Sequence, residues 1–261
     1  MRINQLYCRF GKGFERAFVL KYKMRPYMDV NEPLIVFGCY NTGAILTIVR
    51  HSITFGNLCV VIWAGTDALT FSDERNAVWS KIFRETKNIK NIAISHWIEE
   101  DLKKIDLKYH SIPVLPGDNS DIKPETLGDS ILMYRPELPI YNGGIYEEIK
   151  SKVPYKFIEV RHNTFERKEL LESYKKCFLG LRFTAHDGLS NTACELGLMG
   201  RRIIWNGKTP NAISFDKNNV SEIIENIHKE YENRGKEEAI ANKMQEFLNI
   251  GEDWLNTEFY E

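Results

Sequence analysis

The chain has 261 residues, of which 43% are hydrophobic and 12% aromatic, and its net charge is −1. The length and composition predict a well-packed globular core in one large domain or two small ones. A net charge so close to zero argues neither for nor against nucleic-acid binding by the molecule as a whole.

Cysteine usage indicates the compartment. The five cysteines form no C-x-x-C pair, and an odd count argues against a disulfide framework. Neither they nor the six histidines show the spacing of metal ligands. No apolar run is long enough to span a bilayer, and the charged N-terminus does not have the pattern of a signal peptide. We therefore expect a cytoplasmic protein without a metal.

The first half alternates apolar strands with helices, as parallel sheets do. Residues 1–25 hold seven basic residues against one acid, a stretch that suits either a solvated helix face or contact with a membrane surface or nucleic acid. Ser72 and Ser95 are predicted helix N-caps. Predicted strands cover 3–8, 34–39, 58–63, 91–94 and 109–115, and predicted helices cover 14–24, 42–51, 72–86 and 96–105.

A run of Pro, Gly and polar residues over 113–121 is the predicted linker, after which the same alternation resumes. Beyond residue 236, apolar residues recur at helical spacing and predict a last helix. Predicted strands cover 130–134, 156–160, 178–184 and 203–205, and predicted helices cover 144–152, 165–177, 192–199 and 220–231.

The most informative stretch runs from Phe178 to Gly207 and has the order strand, polar turn, helix, strand. In such a βαβ unit the end of the first strand delivers a loop to a helix N-terminus. Free N–H groups and a partial positive charge at that N-terminus suit a phosphate. Asp187 precedes the helix and Glu195 lies inside it, so two carboxylates frame the turn.

This pair, with seven residues between the two acids, resembles the acid-x7-Glu motif of retaining GT-B glycosyltransferases. The surrounding G-L-R-F-T-A-H-D-G-L-S-N-T-A-C-E-L-G-L-M-G-R-R-I-I-W-N is similar to the donor domain of that family. W-A-G-T-D at 63–67 and I-S-H-W-I-E-E-D-L at 94–102 resemble its acceptor domain, and the resemblance extends over about 34–232.

The resemblance implies an α/β fold of two Rossmann-like parallel-sheet domains facing a cleft. The first, 1–116, is then the acceptor side, and the second, 117–235, binds a nucleotide-sugar. A helical tail, 236–261, is expected to pack back on the first domain.

The resemblance also implies roles for residues of the turn. Asp187, where many relatives have Glu, corresponds to the acid that holds the donor sugar, and Glu195 to the acid that holds the ribose. The expected phosphate path consists of Gly188, Leu189, Ser190, Asn191 and Thr192. Electrostatic stabilisation of the leaving diphosphate is the chemistry that such a site must supply.

A cation must offset the diphosphate, and Arg135 matches the family's Arg after the first donor-domain strand. Arg182, inside an apolar strand, is a second donor-binding candidate, or else the partner of a core carboxylate. His162 ends a strand near the family's base site. His186 lies beside Asp187, where it either contacts the sugar or is a polar turn residue.

Asp67 follows a buried strand, at the end that faces the crevice in parallel sheets. It is a candidate to orient the acceptor or a sugar hydroxyl, and the alternative is a helix-capping or turn aspartate. We therefore take Asp67, Asp187 and Arg135 as the candidate catalytic residues.

The predicted function is transfer of a sugar from a nucleotide-diphosphate-sugar to an acceptor hydroxyl, with retention and with no cofactor besides that co-substrate. The expected acceptor is a glycan, a lipid-linked sugar or a modified DNA base. Two alternatives stay open: a sugar-nucleotide epimerase of the same shape, and a non-catalytic nucleotide-sugar-binding protein. The P-loop, dinucleotide and nucleophile-elbow motifs are absent from the sequence.

Overall fold

The computed structural model describes residues 1–9, 12–134, 143–161, 166–232 and 235–261. These residues form two compact units. The first comprises 1–118, 187–189 and 249–261, and the second comprises 119–186 and 190–248. Each unit contains one parallel sheet, as the alternation of apolar strands and helices predicts.

The sheet of the first unit has six strands in the order β2-β1-β3-β4-β5-β6, and every neighbouring pair is parallel. Its two central strands, β3 and β4, are buried at every residue because helices cover both faces. The strands are β1 (Gln5–Cys8), β2 (Arg25–Pro26), β3 (Leu34–Phe37), β4 (Cys59–Trp63), β5 (Ile89–Ala93) and β6 (His110–Ser111).

Two helices of the first unit begin at residues whose side chains satisfy free backbone N–H groups. The Asn41 side chain accepts a hydrogen bond from the Ala44 N–H at 2.9 Å, and Ser95 accepts one from the Ile98 N–H at 3.5 Å. The prediction of Ser95 as an N-cap is therefore confirmed. The helices are α1 (Lys12–Tyr22), α2 (Thr42–Val49), α3 (Thr66–Phe71), α4 (Ala77–Glu85) and α5 (His96–Lys104).

Two predicted elements differ from the structure. Ser72 does not start a helix but ends α3, and its hydroxyl donates a hydrogen bond to the Leu69 carbonyl at 2.9 Å. Asp73 caps the 3-10 turn that precedes α4. The strand predicted over 109–115 is confined to β6, because Pro113 has no N–H to donate to a sheet.

The sheet of the second unit has five parallel strands in the order β11-β10-β9-β7-β8. Strand β8 lies on one side of β7, and the chain then crosses back to place β9 on the other side. The order in which strands are added therefore reverses between β7 and β9. Ligands of open α/β sheets bind at such switch points, beyond the carboxyl ends of the strands. The strands are β7 (Ser130–Tyr134), β8 (Lys156–Val160), β9 (Cys177–Leu181), β10 (Arg202–Ile204) and β11 (Ala212–Ile213).

Five helices cover this second sheet: α6 (Gly143–Lys152), α7 (Arg167–Lys175), α8 (Asn191–Leu198), α9 (Val220–Glu232) and α10 (Glu237–Leu248). A wholly buried arginine, Arg201, joins two of these helices to the sheet, because its guanidinium donates to backbone carbonyls at the ends of α7 and α8 and at the start of β9. These acceptors include the carbonyls of Tyr174, Cys177 and Met199. The end of α7, the start of β9 and the end of α8 are thereby held in fixed register.

The tail predicted to pack on the first domain is divided between the two units. Helix α10 packs on α8, where Met244 lies so close that a Cβ on Gly197 would be 2.5 Å from its methyl group. Residues 249–261 instead belong to the first unit, and the Trp254 ring there packs edge-on against Tyr22 at 5.2 Å. Among the described helices, none is long and apolar enough to cross a bilayer.

Candidate functional site

The turn between β9 and α8 is built as the sequence predicts. Ser190 is the N-cap of α8, and its hydroxyl accepts a hydrogen bond from the Ala193 N–H at 3.2 Å. The amino end of this helix, beginning at the exposed Asn191, carries the partial positive charge of the helix dipole. The turn follows β9, one of the two strands at the switch point of the second sheet.

Close packing fixes α8 against β9. A Cβ at Gly180 would lie 2.6 Å from a methyl group of Leu196, so the absence of a side chain at Gly180 lets Leu196 pack directly on the strand. Every residue of α8 from Thr192 onward is buried. The helix that carries Glu195 is therefore rigidly seated on the strand that delivers the turn.

Glu195 is a buried carboxylate with a cationic partner. The residue is 5% exposed, and its carboxylate forms an ion pair with Arg167, the first residue of α7. The second guanidinium nitrogen of Arg167 donates to the Asn119 amide oxygen at 3.1 Å and lies 3.4 Å from an Asp121 carboxylate oxygen. Arg167 thus links α8 to the start of the second unit.

Two opposing effects set the protonation of Glu195. Burial raises the pKa of this carboxyl above its ordinary value, and the Arg167 charge and hydrogen bond lower it. Tyr174, on α7, also lies within hydrogen-bonding reach of the Glu195 carboxylate and lowers its pKa. The net effect is a raised pKa, and the ionised form of a carboxylate in this position can accept hydrogen bonds from a pair of neighbouring hydroxyls.

The remaining predicted donor residues of the second unit lie in different environments. Thr192 is buried, and its hydroxyl lies 3.4 Å from that of Tyr174. Arg182 is 6% exposed, and its guanidinium lies over the Tyr134 ring at 4.2 Å, a cation–π contact. His186 is buried, and the Thr184 hydroxyl donates to its carbonyl at 2.7 Å.

Two further candidates, Arg135 and His162, lie outside the described residues. Arg135 follows the end of β7, and His162 follows the end of β8 by two residues. Their predicted contacts with the diphosphate and the base stay predictions.

The tip of the turn, residues 187–189, belongs to the first unit. The Ser95 hydroxyl donates to the Asp187 carbonyl at 2.9 Å, and an Asp187 carboxylate oxygen accepts from the Gly188 N–H at 3.0 Å. A Cβ at Gly188 would lie 2.2 Å from the Ala64 carbonyl oxygen, so the close approach requires glycine. Leu189 packs against the hydrophobic core of the first unit, and only its backbone remains suited to the predicted phosphate path.

Asp67 has the contacts of a turn aspartate. It is 2% exposed and lies in the first turn of α3. Its carboxylate accepts hydrogen bonds from the N–H groups of Cys39 at 2.8 Å, Ala64 at 3.1 Å and Gly65 at 2.8 Å. Burial raises the pKa of Asp67, and these backbone donors oppose that rise. The geometry is that of the capping alternative, with two strand ends and a helix start tied to one carboxylate.

A small cavity of about 170 Å³ lies beside Asp67 at the carboxyl edge of the first sheet. Its lining includes the polar side chains of Asn41, Thr42 and Thr70. Tyr40 also lines it, and burial raises the pKa of the Tyr40 hydroxyl, with the Asp67 and Asp187 carboxylates adding to the effect. The first unit therefore brings Asp67, Asp187 and a cavity with polar walls to one edge.

Sequence reasoning missed Arg167, Tyr174 and Tyr40. The sequence did contain a signal for Arg167. A cation in the first turn of a helix interacts unfavourably with the helix dipole, which indicates that it has an anionic partner elsewhere. Tyr174 lies seven residues later, on the same face of α7. No comparable pattern marks Tyr40, which follows the positive-φ residue Gly38 (φ 79°) after β3.

Comparison with solved structures shows which fold the two units compose. The chain is similar to Anabaena HepE solved with UDP and glucose, at 10% identity and a TM-score of 0.67, over 97% of this chain and 90% of that one. Sucrose-phosphate synthase from Thermosynechococcus elongatus matches at 10% identity and a TM-score of 0.63, over 97% and 77% of the two chains. The chain has the GT-B fold. The fold that the resemblance implied is thereby confirmed.

A third similar structure, TarM, matches at 11% identity and a TM-score of 0.60, over 87% of this chain. The chain spans 53% of the length of TarM. No family model and no curated protein matches the sequence. Over the described part of the chain, no cluster of three or more His, Cys, Asp or Glu side chains has the geometry of a metal site.

Proposed function

We propose that this chain is a glycosyltransferase that takes a sugar from a nucleotide-diphosphate-sugar and transfers it to an acceptor hydroxyl. The observation that carries the proposal is Glu195, a buried carboxylate poised by Arg167 on the helix that begins at the switch-point turn. A carboxylate of this kind suits the paired hydroxyls of a ribose. HepE, a protein with the same fold, has been solved with UDP and glucose.

The donor is proposed to bind through the turn and α8. The amino end of α8, capped by Ser190, offers N–H groups and a partial positive charge to the diphosphate. Asp187 would bind hydroxyls of the transferred sugar, and Arg182 and Arg135 would supply positive charge for the leaving diphosphate. His186 and His162 complete the set of proposed donor contacts.

The acceptor is proposed to bind through the first unit. The cavity beside Asp67 has polar walls that suit a hydroxyl-bearing group. This cavity favours a transferase over a protein that only binds a nucleotide-sugar, because a binder needs no second polar site. Asp67 would act by holding the carboxyl edge of the first sheet in place, and Asp187 would be the carboxylate that contacts the reacting groups.

Retention of configuration, a metal-independent reaction and a cytoplasmic location belong to the same proposal. For the acceptor, the candidates are a glycan, a lipid-linked sugar and a modified DNA base. An α-glucosyltransferase solved with UDP and a DNA 13-mer containing an HMU base matches this chain at 12% identity and a TM-score of 0.50. That match makes DNA that contains a modified base an acceptor worth testing first.

The proposal is tested with a panel of UDP-, GDP- and ADP-sugars, measuring binding and donor hydrolysis for the wild type and for Glu195→Ala. We expect one nucleotide-sugar to bind the wild type clearly and to bind Glu195→Ala at least tenfold more weakly, as loss of a charge-assisted hydrogen bond predicts. Glu172→Ala, which removes an exposed carboxylate from α7, is the matched control. If wild type and Glu195→Ala bind every nucleotide-sugar equally weakly, the proposal fails.

A further inference from the structure

A second, larger cavity lies at the opposite edge of the first sheet from Asp67. Its volume is about 800 Å³, and it is formed by the end of α4, the first residues of β5 and the segment before β6. We call it the amino-edge groove. Asn91, which is buried, joins two of its walls, because its amide donates to the Lys108 carbonyl at 3.0 Å. The groove is thus part of the packed unit.

Positive charge dominates the amino-edge groove. Arg84, Lys87, Lys90 and Lys108 line it, and the one acid in its lining is Asp106. Asp106 lies 4.0 Å from Arg84, so the arginine is partly neutralised. Within the described part of the chain, the three lysines have no carboxylate at salt-bridge distance. The pKa of His110 is lowered by burial and further by the Lys90 charge, so the imidazole adds a neutral ring at pH 7.

The basic N-terminal stretch has a different character. Arg2 forms an ion pair with Glu252 at 2.5 Å, and Arg25 forms one with Glu32. The Lys21 ammonium donates to the Leu115 carbonyl at 3.0 Å. These three cations of the stretch already have partners in the folded chain, whereas the three lysines of the amino-edge groove line one concavity together.

Flat rings accompany the cations. Tyr109 and His110 both line the groove and are partly exposed. The Lys103 ammonium lies 5.9 Å from the centre of the Tyr109 ring, and the His110 ring packs on Phe259 at 4.8 Å. Supported rings beside lysines are the combination that binds single-stranded nucleic acid, in which phosphates meet cations and bases stack on aromatic faces.

Other polyanions fit less well. A membrane surface requires a flat or convex face with exposed apolar side chains. The groove is concave, and its apolar residues Phe83, Ile89 and Leu107 are buried. Lysine ammonium groups are mobile point charges without the fixed fork of arginine, so they suit the phosphates of a flexible strand.

We propose that the amino-edge groove binds a single strand of nucleic acid, with Lys87, Lys90 and Lys108 on its phosphates and Tyr109 stacked on a base. This inference does not depend on the proposed transferase function. It assigns the first unit a nucleic-acid site at the edge of its sheet opposite to Asp67.

The test measures fluorescence anisotropy of a labelled 12-nucleotide DNA strand with the full chain at several salt concentrations. The groove variant is Lys87→Gln, Lys90→Gln and Lys108→Gln together. The control variant is Lys150→Gln, Lys217→Gln and Lys243→Gln, which removes equal charge from exposed lysines of the second unit. Thermal unfolding verifies that all proteins are folded.

We expect the groove variant to bind at least about tenfold more weakly than wild type at low salt, and the control to bind within about twofold. The slope of log affinity against log salt should fall by about 2 in the groove variant, since each lost phosphate contact lowers it by about 0.7 for a single strand. Equal losses in the two variants, or no binding by wild type, would overturn the proposal.

A second variant, Tyr109→Leu, separates nucleic acid from other polyanions. Because leucine offers no ring on which a base can stack, the oligonucleotide affinity should fall about tenfold, while binding of inorganic polyphosphate stays unchanged. If both ligands lose affinity equally, or if only phosphatidylserine vesicles respond to the lysine changes, the assignment to nucleic acid is wrong. Nucleotide-sugar binding, measured in the same samples, reports on the transferase proposal separately.

Discussion

Asp67 and Glu195 are both buried carboxylates whose pKa is raised by burial, and they differ in what opposes that rise. Asp67 is surrounded by backbone N–H groups, which are neutral and belong to fixed elements. Glu195 instead has a cation, Arg167, that is itself 45% exposed on its side chain. Backbone donors tie strands together permanently, whereas a half-exposed side-chain partner can share its carboxylate with a ligand.

This difference supports a structural role for Asp67 and the proposed binding role for Glu195. Position at the carboxyl edge was the reason to place Asp67 among the catalytic candidates. The contacts, which sequence does not show, favour the capping role for Asp67 and the ligand role for Glu195.

The largest expected effect is on stability, from Asp67→Asn. An asparagine has one acceptor oxygen where the structure presents three N–H donors, so at least one buried donor loses its partner. We expect the free energy of unfolding to fall by about 2–4 kcal/mol, measured by urea denaturation. Asp73→Asn, at an exposed N-cap, should cost less than about 1 kcal/mol. Unchanged stability with lost turnover would make Asp67 catalytic.

Asp187→Ala should act on turnover. Its carboxylate is the proposed contact to the transferred sugar, so its loss misplaces the reacting group rather than the nucleotide. We expect kcat to fall about 100-fold with a change in nucleotide affinity of less than about threefold. Steady-state kinetics and calorimetric binding measure the two quantities. If only the thermal midpoint moves, Asp187 is structural.

Arg167→Gln should change the pH dependence of nucleotide binding. Without the guanidinium, burial raises the pKa of Glu195 further, so the carboxyl is protonated at higher pH and accepts fewer hydrogen bonds. Affinity is lost as pH falls through that pKa. The midpoint of this loss should therefore move upward by about 1–3 pH units, and affinity near neutral pH should drop roughly tenfold. Arg167→Lys keeps the positive charge, so its midpoint should lie much closer to that of wild type.

The pH dependence of the free energy of unfolding tests the effect of Arg167→Gln independently of nucleotide binding. A carboxyl whose folded pKa lies above its unfolded value contributes stability at low pH that is lost as pH rises through the folded pKa. Arg167→Gln should consequently destabilise the protein more at pH 7 than at pH 5, by urea unfolding at both values. An equal loss at the two pH values would mean that Arg167 does not influence Glu195. Lys168→Gln, beside it on α7, is the control.

Much of the fold was predictable because its central strands are apolar throughout and several of its helices begin at polar caps. The runs at 34–37 and 59–63 are buried at every residue, as an unbroken apolar pattern predicts. The error at Ser72 arose because two short helical segments and one long helix have similar local patterns. Serine occurs both at the start and at the end of helices, so the residue type alone does not show whether a helix begins or ends at Ser72.

The turn from 185 to 191 was also predictable, because Gly, Asp, Ser and Asn between a strand and a helix indicate a loop. The partners of its acids were not predictable. Arg167 lies 28 residues before Glu195 in sequence, and only the packing of α7 beside α8 brings them together. The three donors to Asp67 are backbone atoms, which carry no sequence signature.

The central claim is that Glu195, held by Arg167, binds the nucleotide of the donor, and calorimetric titration of UDP into wild type and Glu195→Gln tests it most directly. Glutamine keeps the size and removes the charge. We predict an affinity about 10- to 100-fold weaker for Glu195→Gln, with an unfolding midpoint close to that of wild type. UDP affinity unchanged by Glu195→Gln, or no nucleotide bound by wild type, would contradict the account.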